Sequence, residues 1–284
     1  MAKLFVDNLT VMDFSFLDRE RGVVGESWIV DIELAGDLDE QGMVFDFGHV
    51  KKQIKQFIDA QADHRLLVPC ASPGCSTTAS GEELTIEFPL TSGALIRHRS
   101  PRDAVLLLAA DSIDAKQIAE DLQSQLINIL PDNVRDVRIM LRPEAIDGAY
   151  FHYTHGLQKH LGQCQRIAHG HRSRIEISID SERNADLEAR WADRLSDIYI
   201  ASEHHIINTF EHNGIEHLQL AYTAAQGEFA ISVPRDHVFV IPLVSTVENI
   251  AIHLATQVGA EASGTVLVKA FEGVGKGAFG AAAG

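Results

Sequence analysis

The stretch AYFHYTHGLQKHLGQCQRIAHGHRSRIEISI, residues 149–179, decides how this chain is read. Ile175, Ile177 and Ile179 recur at every second position, so 173–179 is predicted to be a half-buried strand. A second strand is predicted over 149–155. If extension reaches back to residue 169, His169 and His171 share a face, because strand side chains alternate. Gly170 keeps the space between the two imidazoles open. His155 closes the earlier strand on the parity of Phe151 and Tyr153, so two adjacent antiparallel strands would gather three imidazoles. Three neutral imidazoles plus one open position form a common catalytic zinc arrangement, in which the open position polarises a substrate oxygen or a water. Zn2+ is therefore the expected cofactor, although iron or another divalent ion also suits imidazole. The chain has 14 histidines. His152 and His160 lie close by, so a hydrogen-bonded histidine cluster is the competing reading. Cys164, near a metal or a cationic histidine, could be a thiolate and a general base. It could equally be a fourth ligand or a small buried side chain.

Outward from this stretch the pattern is mixed. Alternation of Trp28, Val30, Ile32 and Leu34 predicts a strand over 28–35. Helices are predicted over 48–61, 114–127 and 247–257, and from the stripe Leu187, Trp191, Leu195 and Ile198. Further strands are expected at 84–90, 104–110, 137–141, 217–222, 228–233, 237–241 and 264–269. The polar stretch 71–83 is expected to be a loop, and the glycine- and alanine-rich end a frayed tail. Ordered parallels suggest a tandem duplication with its boundary near 143–149. They pair IDAQADHRLL (58–67) with YIASEHHIIN (199–208), AKQIAEDL (115–122) with VENIAIHL (247–254), and VRIML (137–141) with VLVKA (266–270). The expected fold class is α+β, with antiparallel sheets and paired helices packed on one face. Such sheets leave edges that need pairing, so oligomerisation is expected.

The 284 residues are 45% hydrophobic, enough for one large domain or two small ones, and carry a formal net charge of -16. That charge disfavours nonspecific binding to nucleic acid or to an acidic membrane surface. No apolar run is long enough to span a bilayer, and the opening MAKLFVDNLTVMDF lacks the layout of a secretory signal. Cys70, Cys75 and Cys164 do not form a disulfide framework. A reducing cytoplasm is the expected location.

Taken in order, Phe151, His155, Cys164 and His169-Gly170-His171 resemble the 6-pyruvoyl-tetrahydropterin and 6-carboxy-tetrahydropterin synthase family. Further motifs support the resemblance. GMVFDFG (42–48) looks like the family's glycine-hydrophobic-Asp-Phe segment. Asp63-His64 matches its Asp-His pair, with Glu203-His204 as an altered second match. STVEN (245–249) resembles the segment whose glutamate, Glu248 here, anchors the pterin ring. A second anchoring glutamate is expected near KAFEG (269–273), where Ala270 holds the nominal position and Glu272 follows two residues later.

The resemblance implies two successive T-fold domains, 1–145 and 146–284, closing into a barrel on oligomerisation. The first reads GESW (25–28) where the family has His-Gly-His, and Lys116 stands in place of Glu248. It is therefore expected to lack the metal and the normal anchor. Family members draw the metal and cysteine from one domain and the Asp-His pair from a neighbour, so composite sites are expected. The implied substrate is 7,8-dihydroneopterin triphosphate. Its product would be 6-pyruvoyl-tetrahydropterin or 6-carboxy-tetrahydropterin, the latter a precursor of modified tRNA bases such as queuosine. Three chains forming a six-domain homo-oligomer fit this picture, as do larger or different rings. A different pterin aldolase or lyase, or an inactive T-fold that binds a heterocycle or a partner protein, are the alternatives.

Overall fold

The computed structural model describes residues 2–284, without the side chains of Phe47, His49 and Val50. The Phe47 of the GMVFDFG motif and the Val50 of the first predicted helix therefore lie outside the described side chains.

One order of elements occurs twice. The first pass runs β1 (Ala2–Asp18), β2 (Gly22–Gly36), α1 (Phe47–Gln61), β3 (Leu66–Pro69), β4 (Ser76–Ser80), β5 (Glu83–Pro89), β6 (Leu95–Pro101), β7 (Val105–Leu108), α2 (Ala115–Leu126) and β8 (Val134–Pro143). The second runs β9 (Tyr150–His155), β10 (His169–Ile179), a two-residue β11 (Glu182–Arg183), α3 (Ala185–Arg194), β12 (Ile198–Ser202), β13 (Ile206–His212), β14 (Ile215–Ala224), β15 (Gly227–Pro234), β16 (Val238–Ile241), α4 (Val247–Glu261) and β17 (Thr265–Phe271), and adds β18 (Gly277–Ala283). Pairings repeat as well. In the first pass β3 lies parallel to β1 and to β7, and β2 pairs antiparallel with β8. In the second, β12 lies parallel to β9 and to β16, and β10 pairs antiparallel with β17. The fold class is α+β, with helices packed against largely antiparallel sheets, as a tandem T-fold requires.

By contact the chain forms two compact units that cut across this linear order. The first holds the chain up to Met12, Trp28–Asp63 and Ile113–Glu144; the second holds Asp13–Ser27, His64–Ser112 and Ala145–Gly284. In the first unit β2 pairs with β8 from Trp28↔Pro143 to Gly36↔Val134. Helix α2 buries Ile118, Ala119, Leu122 and Leu126, the i, i+4, i+8 stripe that its sequence predicts. Its N-cap Asp114 accepts from Gln117 N, which contributes about 1 kcal/mol.

In the second unit β10 turns Ile175 and Ile177 inward and leaves Arg174 and Glu176 half-exposed. Helix α4 packs Val247, Ile250, Ala251, Leu254, Ala255 and Val258 against that face. Each such large aliphatic side chain contributes about 1.5–3 kcal/mol by leaving water. The inserted hairpins β4–β6 and β13–β15 join through β6 and β15 into one six-stranded sheet.

Several elements differ from the sequence reading. The expected loop 71–83 contains β4, whose five residues are all exposed, so no alternation announces it. β12 is buried along its whole length between two parallel neighbours, and its continuous apolar run reads as the end of a helix. The expected frayed tail is β18, paired with β17 from Thr265↔Ala283 to Phe271↔Gly277. Its small residues let the strand lie against α4, where a Cβ on Gly280 would fall 2.1 Å from Ala251 O.

The repeat register also shifts. Leu66 pairs with Ser15 and Val105, while Tyr199 pairs with Thr154 and Val238. Leu66 therefore corresponds to Tyr199, and His64 to Asp197. Glu203-His204 follows β12 and is not the counterpart of Asp63-His64. Lys116 and Glu248 do correspond, each standing two residues after its helix N-cap.

Candidate metal centre

Strands β9 and β10 pair with His169 opposite His155 and His171 opposite Tyr153. That register gathers the three imidazoles, whose ligand atoms lie within 4.8 Å of one another. His155 and His169 are fully buried and His171 is 1% exposed. Each ring is oriented from behind. His155 Nδ1 donates to Ser245 O at 2.8 Å and His169 Nδ1 to Arg166 O at 3.0 Å, while His171 Nδ1 sits 3.2 Å from Asp13 Oδ1. All three Nε2 atoms are buried without a hydrogen-bond partner, and His171 Nδ1 meets Asp13 as a close ionic contact rather than as a well-aligned hydrogen bond. Orphaned polar atoms of this kind are costly to bury, and three converging ones fit a metal ion. Burial, followed by neighbouring histidine charge, pushes His155 and His169 well below 6.5, so both are neutral with a lone pair to offer.

Cys164 lies half-buried in a short 3-10 turn, Gln163–Gln165, between the two strands. It is not among the three clustered ligands. His64 stands at a φ of 56° in the turn after α1, its ring centroid 5.3 Å from that of His169. Its amide donates to Asp13 O at 2.6 Å, and its carbonyl accepts from Arg166 at 3.3 Å. Asp63, half-buried, precedes it. Glu203 and His204 are exposed, and the His204 ring packs on His205 at 4.2 Å instead of on the metal histidines. Glu248 is exposed in the first turn of α4, three residues beyond the Ser245 carbonyl that holds His155. Glu272 reaches the centre, with Oε1 3.9 Å from His171 Nε2. Ala270, at the nominal anchor position, is buried at 1%.

Three residues at the centre escaped the sequence reading. Tyr153 lies between His155 and His171 at ring distances of 5.1 and 5.3 Å, with a buried hydroxyl that burial holds well above 10. Its parity with His155 was a usable signal. Asp13 is 3% exposed, accepts from Ser27 Oγ at 2.5 Å and lies 3.4 Å from Lys276 Nζ. Burial alone would raise its carboxyl, but His171, Lys276 and Ser27 outweigh that and hold it well below the usual carboxylate range. Burial alone would lower Lys276, but Asp13 and Glu272 outweigh it and leave the amine above its usual value. No local pattern announces either residue.

Fold and site together define a T-fold-type protein with a buried three-histidine centre suited to a metal ion. The family profile for 6-pyruvoyl tetrahydropterin synthase matches residues 12–102 and again 147–278, so the chain belongs to that family, in a two-domain tandem arrangement. Over 133 residues it is 24% identical to a putative 6-carboxy-5,6,7,8-tetrahydropterin synthase of Pyrococcus abyssi, which covers 47% of this chain and 76% of that protein. A protein of the same description from Pyrococcus horikoshii is 22% identical over 142 residues, covering 48% and 77%. Among solved structures, 6-pyruvoyl tetrahydropterin synthase from Plasmodium vivax superposes at a TM-score of 0.41 and 16% identity, over 51% of this chain and 93% of that one. Among the described residues no helix is long and apolar enough to cross a membrane.

Proposed function

We propose that this chain is a zinc-dependent pterin synthase that converts 7,8-dihydroneopterin triphosphate to 6-carboxy- or 6-pyruvoyl-tetrahydropterin. The observation that carries the reading is the set of three buried, unpartnered Nε2 atoms with Cys164 between their strands and His64 beside His169. His155, His169 and His171 would hold the metal, which when bound supplies Lewis-acid polarisation of the substrate's side-chain oxygens. Cys164 takes a proton from the pterin side chain as general base. His64 relays protons at the same centre, with Asp63 as its partner. Glu248 accepts the paired N–H donors of the pterin ring, a geometry that suits a carboxylate. Glu272 takes the inner anchoring role left open by Ala270. Assembly as a homo-oligomer, three chains giving six domains, follows the same reading.

The test is zinc-dependent turnover of 7,8-dihydroneopterin triphosphate, with the product identified by mass and Cys164→Ala alongside. Triphosphate release with a carboxy or pyruvoyl product, lost in the variant, supports the reaction and selects its branch. No turnover by fully zinc-loaded protein refutes it and favours another pterin substrate or a binding role.

A further inference from the structure

The second unit contains two β-hairpins in reciprocal contact. One is the hairpin of β1 and β2 within Asp13–Ser27; the other is β9–β10. Ser15 Oγ meets Thr154 Oγ1 at 2.8 Å, and these two residues hold equivalent places in their passes, each beside the parallel strand that follows. A Cβ on Gly170 would lie 2.5 Å from Gly25 Cα, so the strands touch glycine to glycine. On this correspondence Phe16, Val24 and Glu26 stand where the other hairpin has His155, His169 and His171, so Val24-Gly25-Glu26, one residue earlier than the expected GESW (25–28), takes the place of His-Gly-His. Asp13 likewise corresponds to His152. The contacts obey the same exchange: Asp13 reaches His171 at 3.2 Å, and Glu26 reaches His152 at 3.9 Å.

We infer that Asp13 is a positioning residue for the metal centre, and that the first hairpin, though it carries none of the three ligands, supplies half of that centre's supporting shell. This rests on the reading of the three histidines as metal ligands. A carboxylate behind an imidazole fixes the proton on Nδ1, aims Nε2 at the metal and raises the ligand's basicity. Among the described residues His155 and His169 have backbone carbonyls behind them, whereas His171 has a carboxylate. That carboxylate is itself held in place. Ser27 Oγ donates to it and also accepts from Arg172 N at 3.1 Å, tying Asp13 to the β10 backbone next to His171. Gly273 lets the β17–β18 turn close over it, since a Cβ there would lie 2.5 Å from Asp13 Oδ1. A buried carboxylate is costly unless paired, and its partners here are His171, Ser27 and Lys276. Glu26 and His152 form the reciprocal pair on the side where Phe16 and Val24 offer no ligand atom.

The experiment is Zn2+ binding to the full chain, by competition with a chromophoric chelator, together with the visible spectrum of the Co2+-substituted protein. Wild type is expected to bind one Zn2+ per chain at the histidines. Asp13→Asn, nearly isosteric, is expected to weaken binding 10- to 100-fold and to alter the Co2+ spectrum. Ser27→Ala is expected to weaken it less, and Glu26→Gln to leave it unchanged. Affinity in Asp13→Asn within twofold of wild type, with an unaltered spectrum, overturns the inference while the metal centre stands. Should Asp13→Asn fail to fold, Ser27→Ala decides: at least threefold weakening supports the inference, and unchanged affinity overturns it. Absence of Zn2+ from wild type instead removes the metal reading on which the inference rests.

Discussion

The glycine contact between the two hairpins gives a sharp prediction. A Cβ on Gly25 would sit 1.8 Å from Tyr153 O and 2.6 Å from His171 N. Real Cβ contacts do not fall below 3.0 Å, so Gly25→Ala must displace the β9 backbone by 3.0 − 1.8, or about 1.2 Å. No flexible side chain can give way, because both obstacles are main chain. Overpacking in a well-packed interior costs about 1–3 kcal/mol, occasionally more, and a backbone obstacle belongs at the upper end. About 3 kcal/mol corresponds to a Tm fall of roughly 6–12 °C for a chain of this size. The assay is urea and thermal unfolding of metal-free protein, so that ligand binding does not shift the transition. Gly48→Ala is the contrast. Its nearest obstacle is the Asp46 carboxylate at 3.2 Å, and the residue lies in the first turn of α1, so a neutral or slightly stabilising effect, up to about 1 kcal/mol, is expected. A Gly25→Ala protein within about 1 kcal/mol of wild type would show that the hairpins are not in forced contact.

Glu26 is raised from 4.5 to about 7, chiefly by burial, so the folded chain prefers it neutral. Its contribution to stability is full below about 4.5 and is lost as pH rises through about 7, on the order of 2–3 kcal/mol. Glu26→Gln should therefore gain on wild type in urea titrations between pH 5 and pH 8; parallel curves would contradict this. His155→Ala should abolish stoichiometric Zn2+ uptake, measured by elemental analysis of desalted protein, since two imidazoles do not complete the set. Retained stoichiometric zinc would relocate the metal. Cys164→Ala should lower turnover by roughly 10²–10⁴-fold, as for loss of a general base, with Zn2+ content unchanged. Loss of the zinc instead would make Cys164 a ligand.

Much of both passes was legible because it follows simple periods. Ile175 and Ile177 alternate on β10, and Leu122 and Leu254 fall on helical stripes. The elements that escaped break those periods for physical reasons. β12 is buried at every position because parallel strands flank it on both sides. β4 has no buried face at all. β18 is glycine and alanine apart from the exposed Phe279, and these small residues let it lie against a helix. The Glu203-His204 parallel rests on an acidic-histidine pair alone, whereas strand pairing fixes register through hydrogen bonds and sets His64 against Asp197.

By itself, the sequence determined the three imidazoles. A two-residue spacing on one strand, and a strand-ending histidine on its neighbour, leave little freedom once the strands pair. Only the tertiary structure decided what stands behind those rings. Asp13, Ser27 and Lys276 come from opposite ends of the chain, and His64 enters from the turn after α1. Their convergence depends on Gly25 meeting Gly170, a backbone contact that no local periodicity encodes.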